Sequence, residues 1–424
     1  MLWGLGVGYV ISGMYFGWNL GLEKGGTGGL AVATVFIILL YVTFTFSYAE
    51  LACAIPKAGG GFEYANRALG KDLGFIAGMA QNIEFLFAPP AIAFAIGAYF
   101  NLFFPQFSIL TIAIFAYIIF TLLNSIGVKA AATFELIITL FAVAELFLFA
   151  GVTLPHFEYH NLTQNAFPHG WQGIFAAIPF AIWFFLAIEG IANVAEETIN
   201  PKRTILIGFG SAIFTLVFLC LIVFTSSIGV AGWEAIVYTP DGSLSDSPLP
   251  LALAHIVGNN SWLYHVLITI GLFGLIASFH GIILVAGRTT FEFGRVKLAP
   301  SFLGKVHSKF RTPVNALWFN TSIGIIALLT GKTTQIIVLS VFGALTLYII
   351  STISLLRLRK LEPNLVRPFM VPAYPYFPII ALVIAVVSLI AMIVYNAELA
   401  LVYGCLMGIC YAAFKFTQPR LLID

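Results

Sequence analysis

The sequence predicts an all-α polytopic membrane protein with twelve transmembrane helices. Of its 424 residues, 60% are hydrophobic and only 9% are charged, whereas soluble domains carry about 25% charged residues. Apolar runs of about 20 residues, the length at which a helix crosses a bilayer, recur from one end of the chain to the other. The predicted spans are centred near Met14, Leu40, Phe94, Tyr117, Ala142, Ile182, Phe218, Ile276, Ile325, Leu345, Ala385 and Leu406.

The positions of the basic residues predict how these spans are oriented. If the first span runs outward, all of the 20 Lys and Arg residues except Lys24 and Lys332 fall on one side of the membrane. Basic residues concentrate in cytoplasmic loops, so both termini are predicted to face the cytoplasm. The first span begins close to Met1 with no basic lead-in and no small-residue cleavage site, so we expect no removable signal peptide.

The same composition sets the expected surroundings and partners. We expect a multi-pass protein of the cell membrane, inner or plasma, embedded in lipid. A net charge of +2 gives no reason to expect a nucleic-acid partner. No His/Asp metal cluster, Ser/His/Asp arrangement or phosphate loop occurs at membrane depth, so no catalytic residue, metal or cofactor is expected, and the chain is not predicted to be an enzyme. The sequence does not determine an oligomeric state.

Two predicted spans contain residues that break helices. The first carries Ile11-Ser12-Gly13 among further glycines, and the sixth carries Pro179, Glu189 and Gly190. Broken helices expose backbone groups that lipid cannot satisfy, so they are tolerated where they line a cavity or face protein. Breaks five spans apart are typical of a transporter with two inverted repeats. The alternative is that the glycines serve close helix packing.

This pattern predicts the division of the chain. The first inverted repeat is predicted over residues 1–155 (spans one to five) and the second over residues 170–360 (spans six to ten). Residues 361–424 would form two peripheral spans. A substrate would bind near the middle of the membrane, between the broken first and sixth helices.

Three carboxylates lie deep in predicted spans: Glu84, Glu145 and Glu189. A carboxylate at the centre of a membrane helix costs at least about 2.5 kcal/mol, so a functional use is expected. Gln81 and Glu84 share one helix face, which predicts that Glu84 lines the same cavity as Glu189. His280 is either a hydrogen bonder between helices or a proton relay. Acidic residues nearer the basic side, Glu50 and Glu135 among them, are expected to pair with Lys or Arg.

Three groups of short segments carry a further pattern. They are Ala49-Glu50-Leu51-Ala52 with Pro56, Ala58-Gly59-Gly60-Gly61 and Tyr64; Glu196-Glu197 with Asn200-Pro201-Lys202-Arg203; and Gly287-Arg288 through Ala299-Pro300 with Thr312-Pro313-Val314. In this order they resemble the amino acid–polyamine–organocation transporters. Within that family, Tyr15-Phe16-Gly17-Trp18-Asn19 and Ala187-Ile188-Glu189-Gly190 are most similar to the ethanolamine permeases.

The resemblance implies a LeuT-like fold of ten core spans in two inverted repeats, with two peripheral spans. Glu189 matches the acidic residue of the family's sixth span, and Trp183 matches an aromatic that gates the substrate. The first span usually carries Gly-Ser-Gly, but Ile11 stands in place of the first glycine here. Ala142 stands where many relatives carry a lysine that mimics sodium, so neither that lysine mechanism nor a simple sodium site is expected.

The substitution at Ile11 bears on the substrate. Amino-acid carriers of this type hold the substrate carboxylate on backbone N–H groups at a half-helix terminus, and a β-branched residue narrows that cradle. We therefore expect import, by alternating access, of ethanolamine or a similar small cationic amine that lacks a carboxylate. The alternative is an amino-acid or polyamine exchanger or symporter of the same fold.

The resemblance and the residue pattern together give the candidate site. The predicted substrate-binding residues are Ile11, Ser12, Gly13, Tyr15, Trp18, Gln81, Glu84, Trp183, Phe184 and Glu189. Each aromatic among them except Trp183 could equally serve packing alone. The candidates for coupling to a proton co-substrate are Glu189, Glu84, Glu145 and His280. The sequence leaves open proton symport, proton exchange and uncoupled transport.

Overall fold

The computed structural model describes the backbone of residues 1–197 and 201–421 and the side chains of residues 1–127, 133–193 and 203–416. The side chains of the predicted motif Glu196-Glu197 with Asn200-Pro201-Lys202 lie outside the described residues, as does that of Lys129. Throughout the part that is described, the regular structure is helical, apart from one isolated bridge between Tyr238 and Leu244. The all-α class is therefore confirmed.

The first half of the chain contains eight α-helices. They are α1 (Leu2–Val10), α2 (Ser12–Tyr15), α3 (Leu20–Ala54), α4 (Gly61–Leu69), α5 (Lys71–Asn101), α6 (Ile109–Ile126), α7 (Val128–Thr153) and α8 (Tyr159–Thr163), with a 3-10 turn at Leu154–His156. Glycine is required at the kink inside α3, because Gly26 has φ +64°. This kink separates the end of the predicted first span from the second.

The second half begins with the sixth predicted span and contains ten α-helices. They are α9 (Gly170–Ala176), α10 (Ile178–Trp183), α11 (Pro201–Ala231), α12 (Glu234–Val237), α13 (Pro248–Val257), α14 (Trp262–Arg295), α15 (Val314–Leu328), α16 (Thr333–Leu361), α17 (Tyr376–Tyr395) and α18 (Ala397–Leu421). A 3-10 helix at Ile188–Glu197 follows α10.

Ten helical segments of the described chain are long and apolar enough to cross a membrane. Two predicted spans are not among them: the first is divided between α1, α2 and the start of α3, and the ninth is the 15-residue α15. A polytopic membrane protein is therefore supported, whereas the number twelve and the inverted repeats stay predictions.

Packing places the two broken spans in the interior. Helix α1 contacts α7, α11 and α14, and α10 contacts α3 and α16. Helix α5 packs along both α14 and α16, so it lies beside the same interior region. Helix α18 is largely exposed, as a helix that faces lipid would be. The interior breaks are therefore surrounded by α3, α5, α14 and α16.

Candidate functional site

The first helix is interrupted between α2 and α3. Phe16 has an extended backbone, and Gly17 has φ +85°, a conformation that favours glycine. The Gly17 N–H donates to Asn19 Oδ1 at 3.0 Å, and Asn19 Nδ2 donates to the Ser245 carbonyl at 2.8 Å. These hydrogen bonds satisfy part of the freed backbone and fix the break against the loop that contains Ser245.

The sequence prediction placed the break at Ile11-Ser12-Gly13, where α1 ends at Val10 and α2 begins at Ser12, but the wider interruption lies at residues 16–19. Ile11 has a helical backbone, with φ −60° and ψ −23°, and its N–H donates to the Val7 carbonyl. The β-branched side chain is accommodated in this right-handed conformation, and the left-handed residue comes at Gly17 instead. The expected narrowing of the backbone cradle by Ile11 stays a prediction.

The second interruption lies in the sixth span, as predicted. Helix α10 ends at Trp183, and the 3-10 helix begins at Ile188. Between them, Ala187 adopts φ +77°, which is uncommon for a residue with a side chain. Glu189 therefore directly follows the break rather than forming it.

The two interruptions contact each other through aromatic rings. Phe16 meets Trp183 edge to face, with ring centroids 5.4 Å apart. Trp18 stacks on Phe184 at the same centroid distance. The Gly13 backbone lies directly against the Trp183 carbonyl, so no side chain would fit there. The structure thus brings four predicted residues, Gly13, Trp18, Trp183 and Phe184, together with Phe16 into one wall.

Behind this wall, Glu84 and Glu189 form what we term the carboxyl pair. Both residues have 0% exposure, and their carboxyl groups lie close enough to share a proton. The Tyr348 hydroxyl donates to Glu189 Oε2 at 3.0 Å. Neither Glu84 oxygen, nor Glu189 Oε1, has a well-formed hydrogen bond with a described residue. No described Lys or Arg forms an ion pair with either group.

Tyrosines that the sequence analysis missed surround the carboxyl pair. The hydroxyl oxygens of Tyr41 and Tyr348 are 3.1 Å apart. The ring centroids of Phe44 and Tyr348 are 4.1 Å apart. Tyr41, on α3, also contacts the Phe185 ring. The only indication in the sequence was a tyrosine near the middle of an apolar span, which is too common a feature to single out.

Gln81 lies on the same face of α5 as Glu84, but its side chain binds Asn193 and not the carboxyl pair. Its Nε2 donates to Asn193 Oδ1 at 3.1 Å, and Asn193 Nδ2 donates to the Ala58 carbonyl at 2.9 Å. This chain of hydrogen bonds joins α5, the 3-10 helix and the loop before α4. It closes the region of the carboxyl pair on the side of that loop.

Tyr15 and Glu145 form a separate group. The Tyr15 hydroxyl donates to Glu145 Oε2 at 2.7 Å and to the Ala142 carbonyl at 2.9 Å. The Tyr99 hydroxyl donates to the Tyr15 carbonyl at 3.0 Å. Tyr15, Tyr99 and Glu145 border a cavity with room for about one water molecule. The structure therefore does not place Tyr15 and Glu145 with the carboxyl pair.

Ser12 and His280 also lie outside the carboxyl pair, on the α14 side of the first helix. Ser12 Oγ is 2.8 Å from Ser278 Oγ, which donates to the Tyr9 carbonyl at 2.6 Å. His280 Nδ1 lies 3.1 Å from Glu135 Oε2. Glu135, expected to pair with Lys or Arg, thus pairs with a buried histidine instead.

The chemistry of the carboxyl pair suits a positively charged organic group. Two buried carboxyls with unsatisfied oxygens need a proton or a cation, because an isolated carboxylate away from water is very unfavourable. Tyrosine and phenylalanine rings at its border offer faces that attract a cation. Within the described residues, no group of three or more His, Cys, Asp or Glu side chains could hold a metal ion.

Comparisons with known proteins identify the family. The family model described as "Amino acid permease" matches residues 2–409. An uncharacterized transporter of Rhizobium meliloti (strain 1021) is 28% identical over 417 residues, covering 94% of this chain and 87% of that protein. A branched-chain amino acid permease and a methylthioribose transporter of Bacillus subtilis (strain 168) are 24% and 25% identical, and each alignment covers 89% of this chain and 84% of the relative.

These matches confirm the resemblance to the amino acid–polyamine–organocation transporters, whose members are permeases and not enzymes. The chain belongs to the amino acid permease family.

Proposed function

We propose that this permease is a secondary active transporter that imports a small organic amine, with ethanolamine as the first candidate, by alternating access. One observation carries the proposal: the carboxyl pair of Glu84 and Glu189 is fully buried beside aromatic rings and lacks a described cationic partner. Leaving such a charge uncompensated is far more costly than binding a cation there. A substrate ammonium supplies the missing charge.

The surrounding groups match the needs of a primary ammonium. Its three N–H donors would bind Glu189 Oε1 and the Glu84 oxygens, which have no well-formed hydrogen bond with a described residue. The Tyr348 and Tyr41 rings would add cation–π attraction of about 0.5 to 2 kcal/mol each. The paired tyrosine hydroxyls would also reach the hydroxyl of ethanolamine.

The same pair links substrate binding to a proton. Two adjacent buried carboxyls cannot both ionise without a cation, so one shared proton would neutralise part of the empty site. An arriving ammonium competes with that proton, which favours proton exchange over uncoupled transport. Glu84 and Glu189 are therefore the proposed groups for both substrate and proton.

A second candidate, amino-acid transport, is favoured by a different atom. Trp183 Nε1 is buried and has no acceptor among the described residues. It lies against Gly17 in the first break. A substrate carboxylate would accept this hydrogen bond. The names also favour this second candidate, because the family model, the branched-chain amino acid permease and several cationic amino acid transporters of Arabidopsis thaliana are named for amino acids, whereas the methylthioribose transporter is not.

Uptake into proteoliposomes separates these candidates. Purified protein is tested with radiolabelled ethanolamine, choline, alanine, arginine and putrescine, with and without a pH gradient, and protein-free liposomes serve as the control. We expect ethanolamine to be taken up fastest and its rate to respond to the gradient. Uptake of alanine or arginine with none of ethanolamine would overturn the amine proposal and favour the amino-acid candidate.

The topology belongs to the same proposal. Both termini would face the cytoplasm of the cell membrane, with twelve spans that form repeats over 1–155 and 170–360 and a peripheral pair over 361–424. Single cysteines in place of Lys332 and Lys309 would be labelled by an impermeant thiol reagent from opposite sides of intact cells. Labelling of both from the same side would contradict the predicted arrangement.

A further inference from the structure

Glu135 on α7 and His280 on α14 form a second buried ionisable pair. His280 Nδ1 lies 3.1 Å from Glu135 Oε2, and the two side chains are 3% and 1% exposed, respectively. The histidine ring packs edge to face against the rings of Phe120 and Phe134. With one proton the pair is neutral, either as an ion pair or as neutral groups. Without it, the pair carries a net negative charge in an apolar interior, which is strongly unfavourable.

The other oxygen of Glu135 is enclosed by the backbone of two helices. Glu135 Oε1 has no hydrogen-bond partner among the described residues. It lies directly against Gly8 of α1, and a side chain at Gly281 of α14 would place its first carbon 2.8 Å from it. The Thr139 hydroxyl, which donates to the Gly4 carbonyl, borders the same position. Helix α1 therefore closes directly over an unsatisfied carboxyl oxygen.

A single side chain connects this pair to the carboxyl pair. The Tyr9 ring, at the end of α1, lies between Gly281 and Gly190. Gly190 is the neighbour of Glu189, and the Tyr9 carbonyl is held by Ser278. A displacement of α1 away from α7 and α14 would therefore move Tyr9 against the segment that carries Glu189.

Other ionisable groups on the helices packed against the pair lie farther away. Tyr117 of α6 points to Gly324. The other groups lie two or more helical turns from Glu135 or His280 along the same helix. These are Glu145 on α7 and Tyr264, His265, Arg288, Glu292 and Arg295 on α14. Lys129 of α7 is outside the described side chains. Tyr9 and, behind Gly190, Glu189 are thus the ionisable groups of the described region that border the pair.

We propose that Glu135 and His280 form a proton-binding site, separate from the substrate site, that holds α1 against α7 and α14 while the proton is bound. Loss of the proton leaves a buried negative charge at the face of α1. Only water or a shift of α1 relieves that charge, so deprotonation loosens the first helix. This inference rests on the transport function of the family and not on the identity of the substrate.

Two measurements on Glu135→Gln and His280→Asn test the site. The first is uptake of the best-transported substrate at equal pH inside and outside, across about pH 5 to 8, where histidine titrates. We expect the wild-type rate to change about fivefold or more over this range and the variant rates to change at least about twofold less, because only the proposed proton response of the carboxyl pair remains in them. Glu158→Gln and His160→Asn, whose side chains are exposed, are the matched controls and should keep the wild-type profile.

The second measurement is hydrogen exchange of the α1 amides in detergent, which requires no substrate. We expect α1 to exchange faster as pH rises, after correction for intrinsic exchange, in the wild-type protein but not in the two variants. A purely structural pair would instead lower activity or protection equally at every pH. Wild-type pH profiles in both variants, for uptake and for α1 exchange, would overturn the proposal.

Discussion

Glu50 and the carboxyl pair differ in how the protein treats a buried carboxylate. Glu50 is 1% exposed, and Glu84 and Glu189 are 0% exposed, so burial does not distinguish them. Glu50 accepts hydrogen bonds at 2.7 and 2.6 Å from Arg359, and Arg367 lies at 3.3 Å. The carboxyl pair has no described cation at all.

The difference separates structural carboxylates from functional ones. The backbone N–H of Val371 also donates to Glu50 at 2.7 Å, so its oxygens are satisfied by the fold itself. Glu50 thereby ties the end of α3 to the end of α16 and to the segment beyond it. At the carboxyl pair, no described residue supplies such a charge, and in the proposed function the substrate supplies it. A missing partner, more than burial, therefore marks a binding site.

Glu189→Gln should have the largest effect on transport. The substitution keeps the shape of the side chain but removes the charge that holds the ammonium. A hydrogen bond to a charged group contributes about 1.5 to 3 kcal/mol, so uptake at low substrate concentration should fall about 10- to 100-fold. Proteoliposome uptake measures this, with Glu158→Gln as the exposed control. A wild-type rate in Glu189→Gln would remove the carboxyl pair as the substrate site.

Arg359→Met should chiefly lower the stability of the protein, whereas Glu189→Gln should chiefly lower transport. It leaves Glu50 buried with the more distant Arg367, so the free energy of unfolding should fall by about 3 kcal/mol. Unfolding in detergent measures the loss, and Arg357→Met, an exposed arginine on the same helix, is the control. The Glu50→Gln/Arg359→Met double variant should lose less than the sum of the single variants. Additive losses would show that the pair is not coupled.

Asp246, which lies outside the spans, is intermediate between Glu50 and the carboxyl pair, because its partner is a neutral hydrogen-bond donor. Thr333 at the start of α16 donates to Asp246 Oδ2 at 3.0 Å, yet burial raises the pKa of Asp246 to about 6, above an ordinary value of about 3.9. The folded loop binds the proton more tightly than the unfolded chain does. Stability of this contact should therefore fall as pH rises from about 4 through about 6.

Hydrogen exchange of the loop amides tests this smallest effect. The amides of Ser245 and Ser247, which donate to the Val237 carbonyl and to Ser245 Oγ, should be less protected at about pH 7 than at about pH 5. Asp246→Asn should remove this dependence. The same pH response in the variant and the wild-type protein would assign it to another group.

Much of the fold followed from the sequence because membrane helices depend on local properties. Apolar length and helical backbone hydrogen bonding act within one segment, so the positions of the spans could be read from composition. The two interruptions were also predicted, since glycine, proline and a buried carboxylate disfavour a plain span. The first break extends further than predicted, because Ile11 keeps a helical backbone between α1 and α2 and the positive φ falls at Gly17.

The members of the site were harder to predict because their roles depend on which helices meet. Glu84 and Glu189 lie far apart in the chain, yet the structure brings their side chains together, while the cavity that they were predicted to share stays a prediction. Tyr15 was predicted to bind substrate, which stays a prediction, and the structure adds its contact with Glu145. Glu135 was assigned a basic partner from its position in the chain, whereas α14 brings His280 to it.

The sequence by itself determined that this chain is a helical membrane protein with interrupted first and sixth spans and a costly carboxylate in the sixth. Those features follow from the free energy of placing each side chain in an apolar medium, which is a local quantity. Only the tertiary structure decided which carboxylates have partners. The contacts of α3 with α16 and the segment after it supply Glu50 with arginines, those of α7 with α14 supply Glu135 with a histidine, and the carboxyl pair receives no described cation. That distribution depends on distances between helices, which no single segment encodes.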